Sequence, residues 1–218
     1  MTFATANVVI IGTRVIFPAE QKSVNVQLQN SSSDPALVQS WLDRGDINSR
    51  PNSIQVPFLV TPPIVRIEPN AGQTLRVVFT GKENLPQDRE TLFYLNVLDV
   101  PPKPKAEDLG TNYLQFAIRS RISFSIALLS LSPYDVYQSV QWLKTAKGVV
   151  VDNQTPYFIT YQSVKLGNAY LPNSEMVAPF SSKTLILKGK VSGSRVNWEA
   201  INDFGGTEKG KQCCVSSS

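Results

Sequence analysis

The sequence predicts an all-β protein of two antiparallel sandwiches in tandem, and three observations lead there. Short runs alternate apolar and polar residues with a period of two, turn residues separate them about every ten positions, and no long stretch repeats every 3.6 residues. Successive side chains of an extended strand point to opposite faces, so such a run buries one face and wets the other. About seven short strands at this spacing make one sandwich. The 218 residues give room for one large domain or two of about 100 residues each. The pattern stops near residues 128–133 and restarts after Leu131-Ser-Pro133, which divides the chain into domains of residues 1–130 and 131–218.

The opening stretch VVIIGTRVIF, Val8 to Phe17, is apolar on both sides of a Gly12-Thr13-Arg14 step and reads as the first strand. Val24, Val26 and Leu28 then alternate with Asn25 and Gln27 until NSSSDP, Asn30 to Pro35, ends the run. LVQSWL, Leu37 to Leu42, is stopped by the DRGD of Asp43 to Asp46; LRVVF, Leu75 to Phe79, and LFYLNV, Leu92 to Val97, follow. PPKPKAEDLG, Pro101 to Gly110, is a loop, because proline removes the main-chain donors a sheet needs. Beyond the pause, Val149–Val151, Tyr157–Tyr161, Thr184–Leu187 and Val196–Trp198 read as strands of the second, smaller domain. No internal repeat is obvious.

The most informative run is YLQFAIRSRISFSIAL, Tyr113 to Leu128. Leu114, Phe116, Ile118, Ile122, Phe124, Ile126 and Leu128 share one parity, interrupted only by Ser120, while Gln115, Arg119, Arg121, Ser123 and Ser125 occupy the other. Fully extended, it would reach about 50 Å at roughly 3.3 Å per residue, where a usual strand reaches about 17–20 Å. One domain's core needs less strand than that. A surplus apolar edge is a liability unless something binds it.

Composition excludes several function classes. Histidine is absent, which removes Ser-His-Asp and Cys-His catalysis and His-ligated zinc. The net charge of +4 comes without a dense basic run and reads as scattered surface Lys and Arg, so no nucleic-acid partner is expected. No window of about 18 uncharged apolar residues exists, so no membrane insertion is expected. The start, MTFATANVVIIGTR, lacks the basic and long apolar regions of a secretory signal. Gly205-Gly206 lacks the spacing of a phosphate loop. Asp88, Glu90 and Asp99 read as a solvated rim or as salt-bridge partners rather than an acid/base pair. Trp41, Trp142 and Trp198 read as core or turn packing. Adjacent Cys213 and Cys214 close only a strained ring, which leaves free thiols or an intermolecular bond. Neither an enzyme nor a cofactor is expected.

The candidates are therefore surfaces. Arg14, inside an apolar run, needs a partner, because burying an unpaired guanidinium is costly. Two partners fit: an acidic residue of the chain itself, or a carboxylate arriving on another chain.

Several phrases together resemble the periplasmic chaperones of pilus assembly by the chaperone–usher route. They are TPPIVRIEPNAGQTLR (Thr61–Arg76), LPQDRETLFYLNVLDVPP (Leu85–Pro102), LQFAIRSRI (Leu114–Ile122), NQTPYF (Asn153–Phe158), MVAPFSS (Met176–Ser182) and INDFGG (Ile201–Gly206), in the family's order and nearly end to end. The resemblance implies two immunoglobulin-like β-sandwich domains set at an angle with a cleft between them, in the periplasm, with the export signal outside this chain. It implies a chaperone that caps pilus subunits by donating a strand and delivers them to an outer-membrane usher. The donor side chains implied are Leu114, Phe116 and Ile118, with Ile122 at the margin, and Arg14 is the implied anchor for the subunit's C-terminal carboxylate. The chain also departs from the pattern. Ser123 stands where the family's second cation, a lysine, is expected, and Arg121 on the same parity is its candidate replacement. Ser125-Ile-Ala-Leu-Leu replaces the usual aromatic-Arg-Pro phrase, and Cys213-Cys214 replaces a spaced disulfide. The moderate loop before the donor strand fits the short-loop subfamily. Partners implied are pilus subunits, the usher and, for a free apolar edge, a second copy of the chain. A rival reading of the same β architecture is a surface adhesion, receptor or glycan-binding protein.

Overall fold

Apolar residues at every second position demand another apolar surface to pack on, and each half of the chain supplies its own. A computed structural model describes residues 7–102, 116–127, 133–213 and 215–216. The chain splits into two compact units, Met1–Leu85 with Thr91–Ile126, and Pro86–Glu90 with Ala127–Ser218. The expected division at residue 130 falls within 128–132, outside the described residues.

Among the described residues, the first unit is a sandwich of nine strands: β1 (Val8–Ile10), β2 (Arg14–Pro18), β3 (Ser23–Asn30), β4 (Ala36–Asp43), β5 (Phe58–Thr61), β6 (Ile64–Ile67), β7 (Gly72–Phe79), β8 (Thr91–Val100) and β9 (Ile118–Ala127). One sheet runs β1-β3-β7-β5 and the other β2-β9-β8-β4-β6. Alternation places Val26, Leu28, Leu75 and Val77 from one sheet against Val38, Phe93, Leu95, Val97 and Phe124 from the other, all buried. Phe58 is the centre of this core: its ring meets those of Phe17, Phe79, Phe93 and Phe124 at centroid distances of 5.4, 5.4, 5.2 and 5.1 Å. Edge-on and tilted aromatic contacts of this kind add to the burial of apolar area itself.

Two expectations are corrected here. The opening run forms two strands, because Gly12 at φ +115° turns the chain out of one sheet and into the other. The long alternating run is a strand over Ile118–Ala127 only; Phe116 and Ala117 lie outside regular structure, and 113–115 and 128 lie outside the described residues.

The second unit holds a short helix, α1 (Pro133–Gln138), then β10 (Val140–Thr145), β11 (Gly148–Asn153), β12 (Ile159–Gly167), β13 (Ala169–Tyr170), β14 (Glu175–Val177), β15 (Ser181–Ile186), β16 (Val191–Ile201), β17 (Thr207–Cys213) and β18 (Val215–Ser216). Its sheets run β15-β11-β10-β18 and β13-β12-β16-β17, with β14 on β12. Trp142, Tyr161 and Trp198 fill its core, so two of the three tryptophans are packing residues. The side-chain oxygen of Gln212 accepts hydrogen bonds from the indole N–H of both Trp142 (2.7 Å) and Trp198 (3.0 Å). Gly210 lies opposite Trp198 in register, where a Cβ would come within 2.2 Å of the indole.

The carboxylates expected on a solvated rim or in ion pairs differ from one another. Asp88 is exposed and pairs with Arg89 at 2.7 Å. Asp99 is buried, and its Oδ2 accepts the backbone N–H groups of Asn7 and Val8. Glu90 is buried and accepts the N–H of Phe158 at 2.7 Å. The last two stop main-chain donors that would otherwise be buried without a partner.

Candidate functional site

The alternating strand β9 is where the sequence concentrates its expectations. It pairs antiparallel with β8 in continuous register from Thr91↔Ile126 to Asp99↔Ile118. Its other neighbour, β2, has five residues against ten in β9. Part of the outer edge of β9 therefore has no strand beside it among the described residues.

The two faces of β9 do different things. On the apolar face, Ile126 and Phe124 are buried, Ile122 packs partly against the same core and Ile118 is half-buried; Phe116, two residues before the strand, is 56% exposed. The greasy stripe thus starts inside the sandwich and emerges from it. Leu114 lies outside the described residues.

The polar face is organised by Asp43 at the end of β4, whose side chain is 2% exposed. Arg121 donates to it from Nη2 (2.6 Å) and Nε (3.2 Å), Asn96 from Nδ2 (2.7 Å), and Gly45 from its backbone N–H (2.6 Å). Burial alone would raise the Asp43 carboxyl; these hydrogen bonds and the Arg121 charge outweigh it and hold the group below its ordinary value. The Arg121 guanidinium also lies 3.6 Å from the centroid of the Tyr94 ring.

Register reveals a displacement. Across the sheet, Arg121 faces Asn96 and Trp41, whereas Ser123 faces Tyr94 and Asp43. The Arg121 head group therefore sits one pleat along, in the row that belongs to Ser123. Arg119 leans the same way. It faces Leu98 in register, yet its guanidinium lies 5.9 Å from the Trp41 ring centroid and donates to the Ile47 carbonyl at 2.7 Å.

Arg14 is half-buried at the start of β2, in the same sheet as β9. Ser123 is half-buried, Cys213 is an exposed free thiol, and Cys214 lies outside the described residues. Sequence reasoning missed Asp43, Tyr94 and Trp41. Asp43 reads locally as a strand stop, and nothing near it signals a partner 78 positions away. No helix among the described residues is long and apolar enough to cross a membrane.

A sandwich in which a ten-residue strand shows an apolar stripe leaving its core also matches known sequences. Residues 7–126 match the family model for pili and flagellar-assembly chaperones, PapD N-terminal domain, and residues 135–212 match that for pili assembly chaperone PapD, C-terminal domain. The chain belongs to the PapD-like pilus-assembly chaperones. Among PapD-like relatives, chaperone protein HifB of Haemophilus influenzae is 48% identical over 95% of this chain and 88% of its own length. The probable fimbrial chaperone YadV of Escherichia coli is 43% identical over 94% of this chain and 89% of its own. Among solved structures, the CupB2 chaperone of Pseudomonas aeruginosa matches with a TM-score of 0.81 at 35% identity, covering 95% of this chain and all of that one. A chain of the complex of Salmonella enterica SafA pilin with the SafB chaperone matches with a TM-score of 0.83 at 31% identity, covering 97% of this chain and 98% of that one. Members of the PapD-like family are assembly chaperones rather than enzymes, and their fold is the two-domain, nearly all-β one described above.

Proposed function

We propose that this fimbrial chaperone works in the periplasm by donor-strand complementation, lending β9 to a subunit whose own fold lacks a strand, and then delivers the subunit to an outer-membrane usher. The single observation behind the reading is the apolar stripe that runs from buried Ile126 in β9 to exposed Phe116, two residues before the strand begins, beside an edge that β2 covers over part of its length among the described residues. Main-chain hydrogen bonds along that edge supply affinity, and alternate side chains fill the subunit's groove. Phe116 and Ile118 are the donors among the described residues, and Leu114 extends them in sequence. Ile122 contributes less, because it already packs partly on the chaperone's own core. Each large apolar side chain buried contributes about 1.5–3 kcal/mol before the costs of association. The SafA–SafB complex among the structural neighbours supports subunit binding by this architecture.

Arg14 anchors the subunit's C-terminal carboxylate, with Arg121 as the second cation. Asp43 engages Nε and Nη2 of Arg121, and Nη1 remains for an incoming carboxylate. A charge-assisted pair is worth about 1.5–3 kcal/mol, so Arg14→Ala is expected to weaken capture about 10- to 150-fold while the protein still folds. Co-expression with candidate fimbrial subunits and mass measurement of the purified complex tests it. Normal recovery of subunit with Arg14→Ala removes the anchor, and normal recovery with both Phe116→Asp and Ile118→Asp removes strand donation. In the free protein, the same open edge is the surface on which two copies would associate.

A further inference from the structure

Strand β9 has a weak half. Pairing with β8 ends at Asp99↔Ile118, so Phe116 and Ala117 project past the last ladder pair. On the apolar side, packing against the core begins only at Ile122. Over residues 118–121 the strand is therefore held by β8 along one edge and by little on its apolar face. A strand end in that position frays, and a frayed donor must be ordered again each time it is used.

The polar face supplies what the apolar face lacks. Arg121 reaches across β8 to the buried carboxylate of Asp43, and Arg119 reaches the loop after β4 at the Ile47 carbonyl. The Arg121 guanidinium stacks on the Tyr94 ring of neighbouring β8, and that of Arg119 lies over the Trp41 ring of β4 at 5.9 Å. The loop they grip is itself tied down: Asp43 accepts the N–H of Gly45, and Asp46 accepts the N–H of Asn48 at 2.9 Å. Gly45 sits at φ +117°, a backbone position that resists any other residue. Both arginines lean toward the C-terminal end of β9, into rows where Ser123 and Asn96 leave the space. A planar fork stacked on a ring and bonded at its edge is among the stiffest contacts a long side chain makes.

We propose that Asp43, Arg119 and Arg121 are positioning residues that clamp the first half of β9 to its sheet from the polar side, so that Phe116 and Ile118 meet the subunit already extended. The inference rests on the donor-strand reading for its purpose, but the clamp is measured without a subunit. The experiment is amide hydrogen exchange on the free, full-length protein and on its Arg119→Gln and Asp43→Asn variants. Exchange at Ile118–Ile122 is expected to quicken at least tenfold in both, while β3, β7 and Phe124–Ile126 stay within twofold of the parent. Unchanged exchange at Ile118–Ile122 overturns the clamp, as does an equal rise across the whole sandwich, which marks ordinary destabilisation. Should Asp43→Asn fail to fold, Arg119→Gln alone decides, because its contacts lie at the surface. Capture of a co-expressed fimbrial subunit by Arg119→Gln is expected to fall about tenfold. If Phe116→Asp and Ile118→Asp leave capture intact, strand donation fails while the exchange result still stands or falls by itself.

Discussion

Asp43 gathers four N–H donors from three residues, Gly45, Asn96 and Arg121, onto one buried carboxylate. Because its folded-state value lies below the ordinary 3.8, the unfolded chain takes up the proton more readily. Its contribution is therefore complete above the unfolded value and disappears as pH falls through the folded one. Asp43→Asn is expected to lower stability by about 2–3 kcal/mol at pH 7. That difference should shrink as pH drops below about 4. Urea unfolding of both proteins at pH 7 and pH 3 measures it; a constant gap would mean that the carboxylate charge contributes nothing. Gln212 plays the matching part in the second sandwich, where one amide oxygen serves two indoles that are 2% and 4% exposed. Gln212→Leu leaves both N–H groups buried without an acceptor, at about 1–3 kcal/mol each. Tryptophan fluorescence during urea unfolding should show the loss in the second sandwich.

Elements differ in how openly the sequence declares them. Strands with one wet and one buried face, such as β3, β7 and β8, stand out because alternation is the physical requirement for that position. Edge strand β17, TEKGKQC, does not, since both its faces carry polar residues. The opening run hid its break because Val8–Ile11 and Val15–Phe17 are equally apolar, and only Gly12 marks the change of sheet. On β9, sequence alone divides the two faces from Ile118 onward, whereas Phe116 lies outside the strand, where alternation no longer fixes a face. The reach of Arg121 to Asp43 could not be read, because it depends on β4 and β8 being neighbours. A repeat was missed for a related reason. Asn30 ends β3 and donates to the Asp34 carbonyl, while accepting the N–H of Ser32; Asn153 ends β11 and makes the same bonds to Tyr157 and Thr155. The two sandwiches share this strand-end device at the same offsets, four and two residues on, within sequences that otherwise differ.

Among the described residues of the whole molecule there are two apolar cores with no residue in common. Events at β9 should therefore register in one core before the other. A partner that binds only the folded first sandwich stabilises it by mass action, by about 2.7 kcal/mol at a hundredfold excess over its dissociation constant. Calorimetry with increasing co-purified subunit is expected to raise the melting of the first sandwich and leave the second nearly in place. Equal shifts in both would place binding elsewhere. The half-covered edge of β9 thus has a meaning beyond recognition. If the strand is lent, a subunit would cover the stretch of that edge that β2 leaves bare among the described residues, and each protein would finish the other's sheet.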